Sequence, residues 1–242
     1  MPSTAYSFPL LVPLLFWAAY HYYHDRHRPE PVGNLLVCIA LGAGAAYLNR
    51  FMYEGLGLVG LRYDALELAT SNLPGLFAYA VLGIGLTEEL AKLLPFLIVV
   101  LRFRAFDEPM DGIVYGSFLA LGFALVENLH FLQFLSGLEA IARGFAGPLV
   151  HIVFASVWAY HIGEAHLAKQ SVIAAALRWL AVTALLHGIY DFIVLGFTSS
   201  ALIAAAIVIV AVWIWRLWII RQLHERHAEA EGPDPTAGSR IA

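Results

Sequence analysis

The chain has 242 residues, 60% of them hydrophobic and 13% charged, with a mean hydropathy of +0.73 and a formal net charge of −4. A soluble domain carries about a quarter charged residues, so the composition excludes an ordinary water-soluble fold and gives no footing for a nucleic-acid partner. Repeated apolar stretches near the ~20 residues needed to span hydrocarbon point instead to an all-α, polytopic transmembrane helix bundle of about seven helices, solvated by the lipid bilayer.

The first expected span covers 8–23. The preceding MPSTAYS is uncharged and the basic residues Arg26 and Arg28 come after the apolar run, the reverse of a secretory signal, so the span is expected to be retained. DRHRPEPVG leads into the second span, 33–55, whose Cys38 is the single cysteine and reads as a small core residue. The third span, 73–101, contains Glu88, Glu89 and Lys92. RFRAFDEPMD joins it to the fourth, 111–138. There Asp111 is expected to cap the helix, Gly112 and Gly116 to admit a close helix neighbour, and Glu127 stands among apolar residues. ARGFAGP is expected to separate this span from the fifth, 147–168. Pro148 would then occupy the first helical turn, and His151 would sit at the positive end of the helix dipole. The sixth span, 173–196, carries His187 and Asp191 within LLHGIYDF, and the seventh covers 201–222. Residues 1–222 thus form the membrane domain, with 223–242 a polar, disordered cytoplasmic tail.

Arg26, Arg28, Arg102, Arg104, Lys169, Arg178, Arg216, Arg221, Arg226 and Arg240 fall on one side of this arrangement, and only Arg50, Arg62 and Arg143 on the other. The positive-inside rule then places the N-terminus outside and the C-terminus in the cytoplasm.

Each charge at mid-bilayer costs roughly 2.5–3.5 kcal/mol on insertion scales, so Glu88, Glu89, Lys92, Glu127 and Asp191 together cost roughly 12–17 kcal/mol if nothing compensates. That matches or exceeds the net stability of a typical domain, about 5–15 kcal/mol. These groups must therefore meet one another, a metal or trapped water, and such a cluster marks a functional site. Glu88 and Lys92, at i and i+4, are expected to stack as an ion pair, which leaves Glu89 without a partner. Adjacent carboxylates suit one to hold a nucleophilic water while the other group positions it. His187 with Asp191 one turn on could be an oriented base, a metal ligand with its orienting carboxylate, or an oxyanion donor. Glu127, His151 and His187 come from three spans and form a ligand set found in catalytic zinc sites, with Asp191 orienting His187. The metal-free alternative uses Glu88 or Glu89 as sole base. Lys92 and Asn128, beside these groups, are expected to support them.

TEELAK at 87–92, DGIVYGSFLALGFALVEN at 111–128, the His151 segment, LLHGIYDF at 185–192 and RPEP at 28–31 together resemble the PrsW family of intramembrane proteases, relatives of the CAAX-processing enzymes. The resemblance implies that Glu88-Glu89, the Phe123-to-Glu127 stretch and the His187-to-Asp191 stretch form the active centre. It further implies a membrane-anchored protein substrate, of the anti-sigma-factor type cut outside the membrane in stress responses, and a bacterial plasma-membrane location. Here Glu127 stands where the CAAX enzymes have histidine. A proton-coupled transporter and a non-catalytic scaffold are the competing classes, the first weakened by the lack of any inverted repeat.

Overall fold

The computed structural model describes residues 7–24, 28–197 and 202–231. Helix α1 covers Ser7–His24, α2 Val32–Leu58, α3 Ala65–Ser71, α4 Leu73–Tyr79, α5 Leu86–Ile98, α6 Pro109–Phe131, α7 Gly137–Leu167, α8 Val172–Gly196 and α9 Leu202–Glu231, and no strand occurs among the described residues. Five segments are long and apolar enough to cross a membrane: Val32–Leu58, Pro109–Phe134, Gly137–Leu167, Val172–Gly196 and Leu202–Glu225. Helix α1 coincides with the first expected span. The third appears as α4 and α5 joined by a π-helical turn, Ala80–Gly85, which makes one continuous helical path from Leu73 to Ile98.

Helix α6 is the axis of the bundle, with 83% of its apolar stretch buried against 22% for α2. Missing side chains explain how it is enclosed. A Cβ on Gly122 would lie 2.0 Å from the Ile39 carbonyl oxygen, and one on Gly42 would lie 1.8 Å from that of Leu119, so α2 and α6 touch backbone to backbone. On the other side, Gly112 and Gly116 would meet Ala159 of α7 at 2.5 and 2.6 Å, the close approach their spacing predicts.

Three local expectations are corrected. Helix α7 starts at Gly137, and Pro148 lies inside it, so His151 is well within the helix and the dipole argument does not apply to it. Tertiary packing overrides the proline. Gly144, whose carbonyl a proline four residues on would crowd, packs so tightly on Pro9 that a Cβ would be 2.1 Å from the Pro9 oxygen. Asp111 is not the residue that begins α6. Glu108 precedes Pro109 there, and the Asp111 carboxylate closes the helix start by accepting from the Asp107 and Glu108 amides at 2.7 and 2.8 Å. Arg216 lies within the bundle rather than at its face, donating to Ser156 Oγ at 2.9 Å and to His21 Nδ1 at 2.9 Å. The Lys/Arg asymmetry survives its removal.

Helix α3 was not expected from periodicity. Asp64 starts it by accepting from the Leu66 and Glu67 amides. Helix α9 continues past the expected end of its span to Glu231, through residues rich in the strong helix formers Ala and Glu. The remainder of the expected tail, 232–242 with Arg240, and Arg26 in the first loop lie outside the described residues. The RPEP segment pins that loop to α6: Arg28 pairs with Glu108 at 3.3 Å, and Tyr115 donates to Glu30.

Replacing Gly122 with valine should lower stability by about 1–3 kcal/mol through overpacking against Ile39. Gly33→Ala, where a Cβ meets nothing within 4 Å, should be neutral or slightly stabilising. Thermal unfolding of the two purified variants checks the contrast.

Candidate active site

The π turn and two glycines set the geometry of the site. A Cβ on Gly188 would lie 2.4 Å from Val81 Cα, and one on Gly85 would lie 2.7 Å from the Ala184 oxygen, so α8 presses directly onto the π segment. Single π turns recur at functional sites, where the wider turn changes the direction in which later side chains point. The side chains re-aimed in this way are those of Thr87, Glu88 and Glu89. Thr87 Oγ1 donates back to the Gly83 carbonyl at 2.8 Å.

Glu89 is wholly buried and held from three helices. Its Oε1 accepts from Lys92 Nζ at 2.6 Å and His187 Nδ1 at 2.8 Å, and its Oε2 from Trp158 Nε1 at 2.8 Å. The ion pair therefore runs from Lys92 to Glu89, at i+3, and not to Glu88 as the i, i+4 spacing suggested. The reason is direction: Lys92 points inward with Glu89, where its ammonium also lies 4.6 Å above the Phe123 ring and 3.2 Å from His151 Nδ1. Glu88 is the glutamate left over.

Glu88 Oε2 lies 3.8 Å from His151 Nδ1 and 3.7 Å from His187 Nε2, buried and without a hydrogen-bond partner. Asp191 Oδ2 is in the same condition, 3.7 Å from the same His187 nitrogen. Both face a cavity of about 30 Å³ lined by Glu88, Glu127, Arg143, Gly147, Val150, His151, His187, Tyr190 and Asp191, enough for about one water. Behind the cavity, Glu127 Oε2 lies 2.5 Å from His151 Nε2 and 2.9 Å from an Arg143 Nη atom. Asn128 accepts from Arg143 Nε at 3.1 Å, and the Phe123 ring packs 5.1 Å from the His151 ring. The fold thus brings Glu88, Glu89, Glu127, His151, His187 and Asp191 together, with Lys92 and Asn128 as supports. His130 is at the periphery beside Gln133, while His161 stacks on Trp179 and His166 meets Phe106 edge-on.

Sequence reasoning missed Trp158 and Arg143. Trp158 lies seven residues, two turns, after His151 on the same face, and that spacing was a usable signal. Arg143 lies in ARGFAGP, whose Gly and Pro read as a joint between spans, whereas α7 runs through it.

Among the described residues, Glu88, His151 and His187 form the group of three whose ligand atoms lie within 4.8 Å of one another. This differs from the expected trio in having Glu88 in place of Glu127, which sits on the far nitrogen of His151. Two imidazoles and a carboxylate are a catalytic zinc set, and Glu127 and Glu89 hold the outer nitrogens of the two rings in the carboxylate–histidine arrangement that orients metal ligands. The unpartnered Glu88 oxygen is what such a site requires of a ligand. Lys92 would give up His151 Nδ1 and keep Glu89 and the face of Phe123.

A helical bundle that buries carboxylates and imidazoles around a water-sized cavity can activate a water within the membrane, as an intramembrane hydrolase must. Residues 30–217 match the family described as PrsW family intramembrane metalloprotease, and the chain belongs to that family; it is a membrane-embedded peptidase. It is 31% identical to Protease PrsW of Oceanobacillus iheyensis, with 89% of this chain and 94% of that protein aligned. Protease PrsW of Bacillus subtilis is 29% identical over 78% of this chain and 82% of its own. That of Clostridioides difficile is 26% identical over 84% of each. No solved structure shows a significant match.

Lys92→Met should destabilise the protein by about 3–5 kcal/mol by stranding the buried Glu89 carboxylate. Adding Glu89→Gln should recover part of that loss, so the double variant is more stable than the sum of the singles predicts. Urea or thermal unfolding of the four-member cycle measures it.

Proposed function

We propose that Glu88, His151 and His187 hold a divalent metal, zinc by its preference for this ligand set, and that Asp191 is the general base for peptide hydrolysis. The observation that carries this reading is the pair of buried, unpartnered carboxylate oxygens, Glu88 Oε2 and Asp191 Oδ2, each 3.7 Å from His187 Nε2. Zinc in such a site supplies a bound water that ionises near pH 7 and polarises a carbonyl.

The residues have separable tasks. Glu89 and Glu127 fix the two imidazole rings. Asp191 Oδ2 takes a proton from the attacking water as its oxygen bonds to the scissile carbonyl carbon and the C=O π pair moves to oxygen. As the C–N bond breaks, Asp191 returns that proton to the departing nitrogen. Glu127 is less suited as base, because its Oε2 already serves His151 and Arg143. Glu89 is unsuited because both its oxygens are occupied. Lys92 on His151 Nδ1 favours a second reading, in which Glu88 itself is the base and no metal binds. Asp191→Asn should lose activity more than 100-fold while keeping bound zinc, whereas Glu88→Gln should lose both. Elemental analysis beside a cleavage assay on a single-span peptide separates the readings: full activity in zinc-free protein refutes the metal role.

The Lys/Arg distribution supports an N-terminus outside and a cytoplasmic C-terminus; the family resemblance implies substrates anchored in the same membrane, of the anti-sigma-factor type. A reporter fused at the C-terminus should be active only in the cytoplasm, and periplasm-type activity would reverse this orientation.

A further inference from the structure

Peptide hydrolysis turns a carbonyl oxygen into an oxyanion, and the site needs a donor aimed at it. Held as metal ligands, as proposed above, the imidazoles are neutral and supply none. Neutral His151 gives its Nε2–H to Glu127 and so turns the lone pair of Nδ1 inward; neutral His187 gives its Nδ1–H to Glu89 and turns that of Nε2 inward. Glu88, Glu127 and Asp191 are acceptors, and the amides of Gly147 and Val150 are committed within α7. Among the lining residues this leaves the Arg143 guanidinium and the Tyr190 hydroxyl.

Arg143 is the charged one of the two, and it is seated. Its Nε donates to Asn128 and one Nη pairs with Glu127, while the guanidinium lies 4.5 Å over the Phe131 ring. The residue beside it has no side chain for a reason: a Cβ on Gly147 would fall 2.9 Å from Asn128 Oδ1 and 3.4 Å from Arg143 Nε. The Arg143 side chain is 29% exposed, against 20% for Glu127, 18% for Asp191 and 3–4% for the two histidines, so Arg143 stands at the most open edge among these charged lining groups. A carbonyl entering from that side meets the guanidinium before it reaches the histidines.

We propose that Arg143 is a catalytic residue of this protease, donating to the scissile carbonyl oxygen as it becomes an oxyanion. The inference rests on the site assignment above. Two of its nitrogens anchor the planar fork and a third is left for the substrate, a division a lysine cannot reproduce. The donation transfers no proton, and the charge on oxygen returns to the C=O bond when the C–N bond breaks.

The test uses the full chain in detergent micelles and a fluorophore–quencher single-span peptide that the unmodified protein cleaves. Arg143→Gln should lower kcat about 100-fold or more with KM changed less than about threefold. Added ethylguanidinium should restore part of the rate, Arg143→Lys should fall between, and a phosphinate analogue of the peptide should lose affinity by the same factor as kcat/KM. An unchanged kcat with a raised KM, or a loss that neither guanidinium nor the phosphinate tracks, would overturn the proposal and make Arg143 a binding or packing residue. Glu88→Gln runs alongside. Full activity there, with the expected Arg143→Gln loss, would sink the ligand assignment and leave the role of Arg143 standing.

Discussion

The site depends on one buried carboxylate. Glu89 is tied at once to Lys92 on its own helix, Trp158 on α7 and His187 on α8. A charge in this position is tolerable only when it is paired and hydrogen-bonded, and stranding it by removing a partner costs several kcal/mol. The penalty therefore acts as a restraint. Any displacement of α8 or α7 large enough to break a hydrogen bond would leave part of an ionised group unsatisfied in an apolar interior. Because Glu89 takes these partners, Glu88 is left facing the cavity with an unpaired oxygen.

That restraint works because the helices can approach closely enough. Gly85 and Gly188 allow α8 to lie on the π turn, while Gly42, Gly122, Gly112 and Gly116 allow α6 to be enclosed by α2 and α7. Without a hydrophobic driving force between helices in lipid, such backbone contacts and interhelical hydrogen bonds supply much of the association. The same closeness limits the cavity to about 30 Å³, room for about one water.

The two rings are oriented by opposite means. His187 is fixed from the interior by Glu89, and His151 from the mouth by Glu127, which is itself held by Arg143. Each ring thus presents its remaining nitrogen to the cavity, where Glu88 faces both. Phe123 completes the arrangement by packing on His151 while receiving Lys92 on its face. In this chain the aromatic that begins the Phe123-to-Glu127 stretch has a physical task as definite as that of the carboxylate that ends it.

The sequence by itself determined the membrane class, nearly every helix, and the identity of the polar groups that converge. Apolar run length and the cost of buried charge are local properties, legible without coordinates. The small-residue pair Gly112 and Gly116 was legible for the same reason. Only the tertiary structure decided which glutamate pairs with Lys92, that α7 runs through Pro148, and that Arg143 and Trp158 reach Glu127 and Glu89. Helical spacing tells which residues share a face, but a π turn shifts the phase of everything after it, and partners on other helices choose between neighbours such as Glu88 and Glu89. Where a proline sits inside a helix, the packing of Gly144 on α1 outweighs the local preference, and no local pattern records that contact.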